Sequence, residues 1–215
     1  MIATRPYRRP RRKRNRTHKR LRFNPTAWAK LLFLRDFGPT EIGGFGITSV
    51  DDPLYVIDFT MARQTCTPVS VDFDEDGIAD YLDDQFDQGR SPAECLRIWI
   101  HTHPGECPRP SMTDEETFDR VFGEVDWSVM FILAQGGATY GRLQSRVGPG
   151  VKKRLRRTVD YSREFGGSDY DAWATEYHAN VDAIDPFANH RAGALLDRRG
   201  YAEIDHCTSS EWVAS

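Results

Sequence analysis

A chain of 215 residues with 39% hydrophobic content is long enough to bury a proper core as one domain with extensions, and no run of 18 apolar residues predicts a membrane span. Its four cysteines, at 66, 95, 107 and 207, have no regular spacing and follow no secretory signal, so reduced thiols in a cytoplasmic protein are expected. The net charge of −3 hides an asymmetry: residues 1–22 hold 11 of the 29 Lys and Arg, and all 32 acids lie beyond them.

Residues 1–22, MIATRPYRRPRRKRNRTHKRLR, have no apolar periodicity, so a disordered basic tail is expected. The segment can act as a tether to nucleic acid or an acidic surface, or be a solvated tail and nothing more. The folded domain is expected over 23–165, a C-terminal helix over 166–185 and a partly ordered tail over 186–215. Asn24 as cap, Pro25 at the first helical position and Gly38-Pro39 as a stop bracket a helix marked by Trp28, Leu31, Leu32 and Arg35. EIGGFGITSV then reads as a strand with Glu41 at its start. Its interior glycines, Gly43 and Gly44, mark a close approach of backbone or ligand. Residues 54–60 read as a second strand and 63–73 as a third extended stretch.

The acidic run VDFDEDGIADYLDDQFDQG allows two readings. Asp72, Asp74, Asp76, Gly77 and Asp80 match the opening of a calcium loop, with Asp83 where a bidentate glutamate belongs. A helix is favoured instead, with Ile78, Leu82 and Phe86 as its buried face and its early carboxylates at the positive helix end. After Gly89, CLRIWIHTH alternates as a half-buried strand of period two, which puts His101 and His103 on one face. Two imidazoles and one carboxylate make a three-ligand zinc site with an open position, and Asp114 is the nearest third ligand. Ser111-Met-Thr-Asp114 also has the form of a capping box opening a helix with Phe118, Val121 and Phe122. A helix start would hold both side chains rigidly, so the two readings are compatible. Cys107 reads as a loop thiol, since a fourth ligand would close the site.

WSVMFILAQGG is the most hydrophobic run and is expected to be a central strand. Gly136-Gly137 turns it into TYGRLQSRV as a hairpin partner. VKKRLRRTVDYS reads as an edge strand blunted by its basic residues. DYDAWATEYHANVDAI reads as a helix with Trp173, Tyr177 and Val181 on one face and His178 at the surface.

His101-Thr-His103-Pro104, the seven residues Pro104 to Pro110, then Ser111 and Asp114 resemble the signature of the JAMM metallopeptidases, the JAB/MPN domain family. Glu41 stands where that family needs an upstream glutamate, and the resemblance covers roughly residues 25–165. It implies an α/β fold, a mixed curved β-sheet flanked by helices that is similar to the cytidine-deaminase-like fold. Deaminases themselves use H-x-E with P-C-x-x-C, which this chain lacks. The resemblance further implies Zn²⁺ held by His101, His103 and Asp114, Glu41 as proton carrier and Ser111 as an oxyanion donor. The implied activity is hydrolysis of a peptide or isopeptide bond after the C-terminal Gly-Gly of ubiquitin or a ubiquitin-like protein. The acidic segment 72–87 is the candidate grip on that partner, and the loop PGECPRP is closer to prokaryotic members. The alternative is a non-catalytic MPN scaffold or a RadC-like, DNA-associated protein recruited through the basic tail.

Overall fold

The computed structural model describes residues 20–184; the expectations for residues 1–19 and 186–215 fall outside them. Strand β1 (Arg20–Phe23) opens the fold. Residues 20–22 are thus part of the sheet rather than of the basic tail, because Leu21 and Phe23 alternate into the core and are fully buried. Helix α1 (Pro25–Phe37) starts as the sequence predicts: Asn24 Oδ1 accepts from the Thr26 N–H at 2.9 Å, and Pro25 needs no hydrogen-bond acceptor there. Its buried stripe is Ala27, Lys30, Leu31 and Leu34. The buried Lys30 ammonium pairs with Asp58 and Glu176 at 3.3 and 2.6 Å.

Strands β2 (Gly43–Ser49) and β3 (Asp52–Thr60) form a hairpin, followed by a smaller one, β4 (Gln64–Thr67) and β5 (Ser70–Phe73). Helices α2 (Glu75–Asp87) and α3 (Pro92–Cys95) lead into β6 (Ile98–His103), and α4 (Met112–Phe122) into β7 (Trp127–Ala134). The antiparallel β8 (Thr139–Ser145) is the hairpin partner expected for β7. The chain continues through β9 (Val151–Arg154), β10 (Arg156–Val159), α5 (Tyr170–Asn180) and β11 (Val181–Ala183). The main sheet runs β10-β1-β3-β2-β6-β7-β8-β9, and β11-β4-β5 form a second sheet. The architecture is therefore mixed α/β, with a curved and nearly closed mixed sheet flanked by helices.

Near-closure corrects the reading of VKKRLRRTV as one edge strand. Leu155 divides it: β9 pairs β8, while β10 pairs β1 at the other end of the sheet. The Leu155 N–H donates to Gly141 O at 2.9 Å, and its side chain is buried, so the seam is held by packing as well as pairing. Residues 181–183, expected to prolong the last helix, form β11 because they pair in parallel with the edge of β4.

The sheet has apolar cover on both faces. One core joins α1 and α5 to Ile98, Ile100, Phe131 and Leu133. The other joins α2 and α4 to Phe45, Trp99, Phe118, Phe122 and Met130. Strand β6 is consequently almost wholly buried rather than half-buried, with its two sets of alternating side chains entering different cores. The acidic run is a helix, with Asp74 Oδ1 capping it by accepting from the Gly77 N–H at 2.7 Å. Its inward face is Gly77, Tyr81 and Gln85, one position earlier than expected, and Phe86 is exposed. The reason is steric: a Cβ at Gly77 would stand 2.5 Å from the Arg63 Cβ, so glycine sits where helix meets chain. Asp74 and Asp80 turn toward Arg63, at 3.4 and 3.0 Å, and form no calcium loop. Among the described residues, no helix is long and apolar enough to cross a membrane.

Candidate metal centre

Each group of the site is positioned by a different element. His101 and His103 project from the end of β6 on the face that also carries Trp99, whose ring lies against His101 with centroids 4.3 Å apart. Asp114 comes from the first turn of α4. Ser111 and Asp114 form the predicted capping box: Ser111 N–H donates to Asp114 Oδ2 at 2.7 Å, and Asp114 N–H donates to Ser111 Oγ at 3.1 Å. The cap fixes the carboxylate through Oδ2, with Oδ1 turned toward His101 and Oδ2 toward His103. Glu41 arrives from the residues just before β2. Its N–H donates to Thr67 O at 3.0 Å, and the next residue, Ile42, is bonded on both sides to Thr102.

His101 Nε2 lies 3.2 Å from Asp114 Oδ1, and His103 Nε2 lies 3.4 Å from Asp114 Oδ2 and 3.9 Å from Glu41 Oε1. One ligand atom from each of His101, His103 and Asp114 falls within 4.8 Å of the others. His101 is 1% exposed, and the angles leave both its ring nitrogens without a hydrogen bond. The 2.9 Å contact from His103 Nδ1 to the Cys107 carbonyl makes Nδ1 the donor and leaves the Nε2 lone pair facing the cluster. A buried, unpartnered imidazole beside a second imidazole and a carboxylate is a donor set that fits a metal ion. Among the described residues this is the cluster with that geometry.

The electrostatics of the metal-free chain have the same origin. Burial pushes the Glu41 carboxyl up to about 8, with the His103 charge opposing and Asp114 reinforcing. Burial pushes His101 down. It acts in the same direction on His103, but the contact with Asp114 and the Glu41 charge outweigh it and raise that group. Burial would also raise Asp114, yet the two imidazoles hold it well below the usual carboxylate range. A divalent cation satisfies the imidazole lone pairs and the carboxylate charges at once.

The four residues picked from the sequence as ligands and proton carrier, His101, His103, Asp114 and Glu41, are brought together here. Ser111 stands beside them as the helix cap. Gln64 had no sequence signal. It is buried, its Oε1 accepts from the Gly43 N–H and its Nε2 donates to Gly43 O, both at 2.7 Å. The carboxamide thereby replaces a strand partner and holds the segment that carries Glu41. Gly43 and Gly44 admit close approach, as expected, and what approaches is protein: Val71 at Gly43 and the Thr60 carbonyl at Gly44. Cys66 and Cys95 are free and buried. The group that Cys107, expected as a loop thiol, turns to the site is its carbonyl. No family model and no curated protein matches this chain.

Proposed function

We propose that this protein is a zinc-dependent peptidase or isopeptidase of the JAMM (JAB/MPN) type, acting after the C-terminal Gly-Gly of a ubiquitin-like protein. The observation that carries the reading is the meeting of His101, His103 and Asp114 with Glu41, 3.9 Å from His103, drawn from three separate elements. Their spacing in sequence resembles the JAMM signature, and the mixed curved sheet flanked by helices agrees in class with that family. Two imidazole nitrogens and one carboxylate suit zinc with a fourth position left open. When bound, such an ion supplies an acidified water and polarises the scissile carbonyl.

The chain's own residues do the rest. Glu41 takes a proton from the attacking water and returns it to the leaving amine. The Ser111 hydroxyl donates to the developing oxyanion, while its oxygen goes on accepting from the Asp114 N–H. The exposed carboxylates of α2, Asp83 and Asp84 among them, face solvent and supply an acidic grip for a basic partner face.

The test is zinc content and cleavage of ubiquitin-like fusions by wild type, Asp114→Ala and Glu41→Ala. About one zinc per chain is expected in wild type and in Glu41→Ala, and none in Asp114→Ala; only wild type should cleave. Wild type without zinc or cleavage would sink the reading and leave a non-catalytic scaffold.

A further inference from the structure

The seam that closes the sheet carries a row of cations that the proposed hydrolysis does not use. Lys152 stands opposite Gln144 and Arg154 opposite Arg142 across β8 and β9, and Arg156 stands opposite Arg20 across β10 and β1. Leu155 enters the α1 core, which turns Arg154 and Arg156 to the other face. Alternate strand residues lie about 6.6 Å apart, so Lys152 to Arg156 covers about 13 Å. Arg20, Lys152, Arg154 and Arg156 are all exposed, and none forms an ion pair among the described residues.

Two features separate this row from an ordinary solvated strand. Like charges placed directly opposite one another repel. Glu115 pairs with Arg142 and so offsets the charge opposite Arg154, and Asp52 and Asp160 are committed to Arg22, which leaves Arg156 directly opposite Arg20 with no acid among the described residues paired to either. Guanidinium groups are also paired with aromatic rings. Arg154 lies over Tyr140 at 3.9 Å, and Arg157 on the opposite face lies over Trp28 at 4.3 Å. The chain is acidic overall, with net charge −3, yet nine Lys and Arg and no acid occupy residues 1–19, which lead directly into Arg20.

We infer that the row Arg20, Lys152, Arg154 and Arg156 is a docking surface for single-stranded nucleic acid. A phosphodiester chain laid along the seam relieves the repulsion between Arg20 and Arg156. Guanidinium forks match phosphate oxygens, and Tyr140, beneath Arg154 on this face, is a ring on which a base can stack once that guanidinium turns to phosphate. An anionic membrane fits less well. Interfacial binding adds inserted apolar groups to the cations, and no residue of β1, β8, β9 or β10 on this face is aliphatic.

The experiment is anisotropy of labelled oligo(dT) with the full chain across a salt titration, for wild type and for Lys152→Gln/Arg154→Gln/Arg156→Gln. Wild type should bind with strong salt dependence. Loss of three phosphate contacts should lower the slope of log K against log salt by about 2, at roughly 0.7 per contact. Thermal melting must match wild type. If the triple variant does not fold, Arg20→Gln and Arg156→Gln singly should each lower the slope by about 0.7. An unchanged slope and affinity would overturn the inference and leave residues 1–19 as the only contact. Absence of oligo(dT) binding would overturn it as well, and so would binding of phosphatidylserine vesicles in preference to oligo(dT). The readout is binding alone, so it stands or falls separately from zinc and cleavage.

Discussion

Glu41→Gln removes one buried ionisable group while keeping its shape, and the structure gives the size of the effect. In the metal-free chain, burial lifts the Glu41 carboxyl from 4.5 to about 8. Between those values the folded state holds a proton that the unfolded state has released. A state that binds more protons is favoured at low pH. This contribution is therefore complete below about pH 4.5 and is lost as the pH rises through about 8. At 1.36 kcal/mol per pH unit the loss across the window is about 5 kcal/mol. The Glu41→Gln variant has no titrating group at that position and escapes the loss. Urea unfolding in excess chelator, at half-unit pH steps, should show the stability of wild type minus variant falling steadily across the window and levelling above it. With zinc added, the difference should shrink, because an adjacent cation favours the ionised carboxylate. Parallel profiles for the two chelated proteins would refute the account of Glu41 as a group desolvated by burial.

Two further outcomes test the packing that holds the site. Phe118 on α4 is fully buried, stacked on Trp99 with centroids 6.2 Å apart and covered by Arg142. Phe118→Ala should cost about 3–5 kcal/mol in urea unfolding and weaken zinc binding through the shifted Asp114; unchanged stability would refute the packing. Gly77→Ala should gain about 1 kcal/mol of helix propensity but lose about 1–3 kcal/mol to the clash with Arg63, for a net loss. A higher melting temperature would show that α2 does not lie so close.

The site was legible in the sequence because its chemistry is local at two points and its spacing is specific. The alternation in β6 puts two imidazoles on one face, and Ser111 and Asp114 declare a helix cap whose carboxylate is fixed by the same bonds. The cap at Asn24, the hairpin of β7 and β8 and the helical state of the acidic run are likewise local, set by turn chemistry and periodicity. The partnerships were decided by tertiary structure. Which face of α2 turns inward depends on how near Arg63 comes to Gly77. The burial of β6 on both sides depends on helices contributed from elsewhere in the chain. VKKRLRRTV looks like one edge strand because its pattern records only side-chain alternation. Its division at Leu155 arises because the two halves meet different strands when the sheet curls. Gln64 shows the same limit. One amide in a short strand says nothing about its partner, and its part in holding Glu41 exists only once Gly43 is folded against it. Local sequence thus determined the three candidate ligands, the shared face of the two histidines and the cap, whereas long-range pairing determined how they are buried. Pairing between distant strands is a property of the whole sheet, and no short segment encodes it.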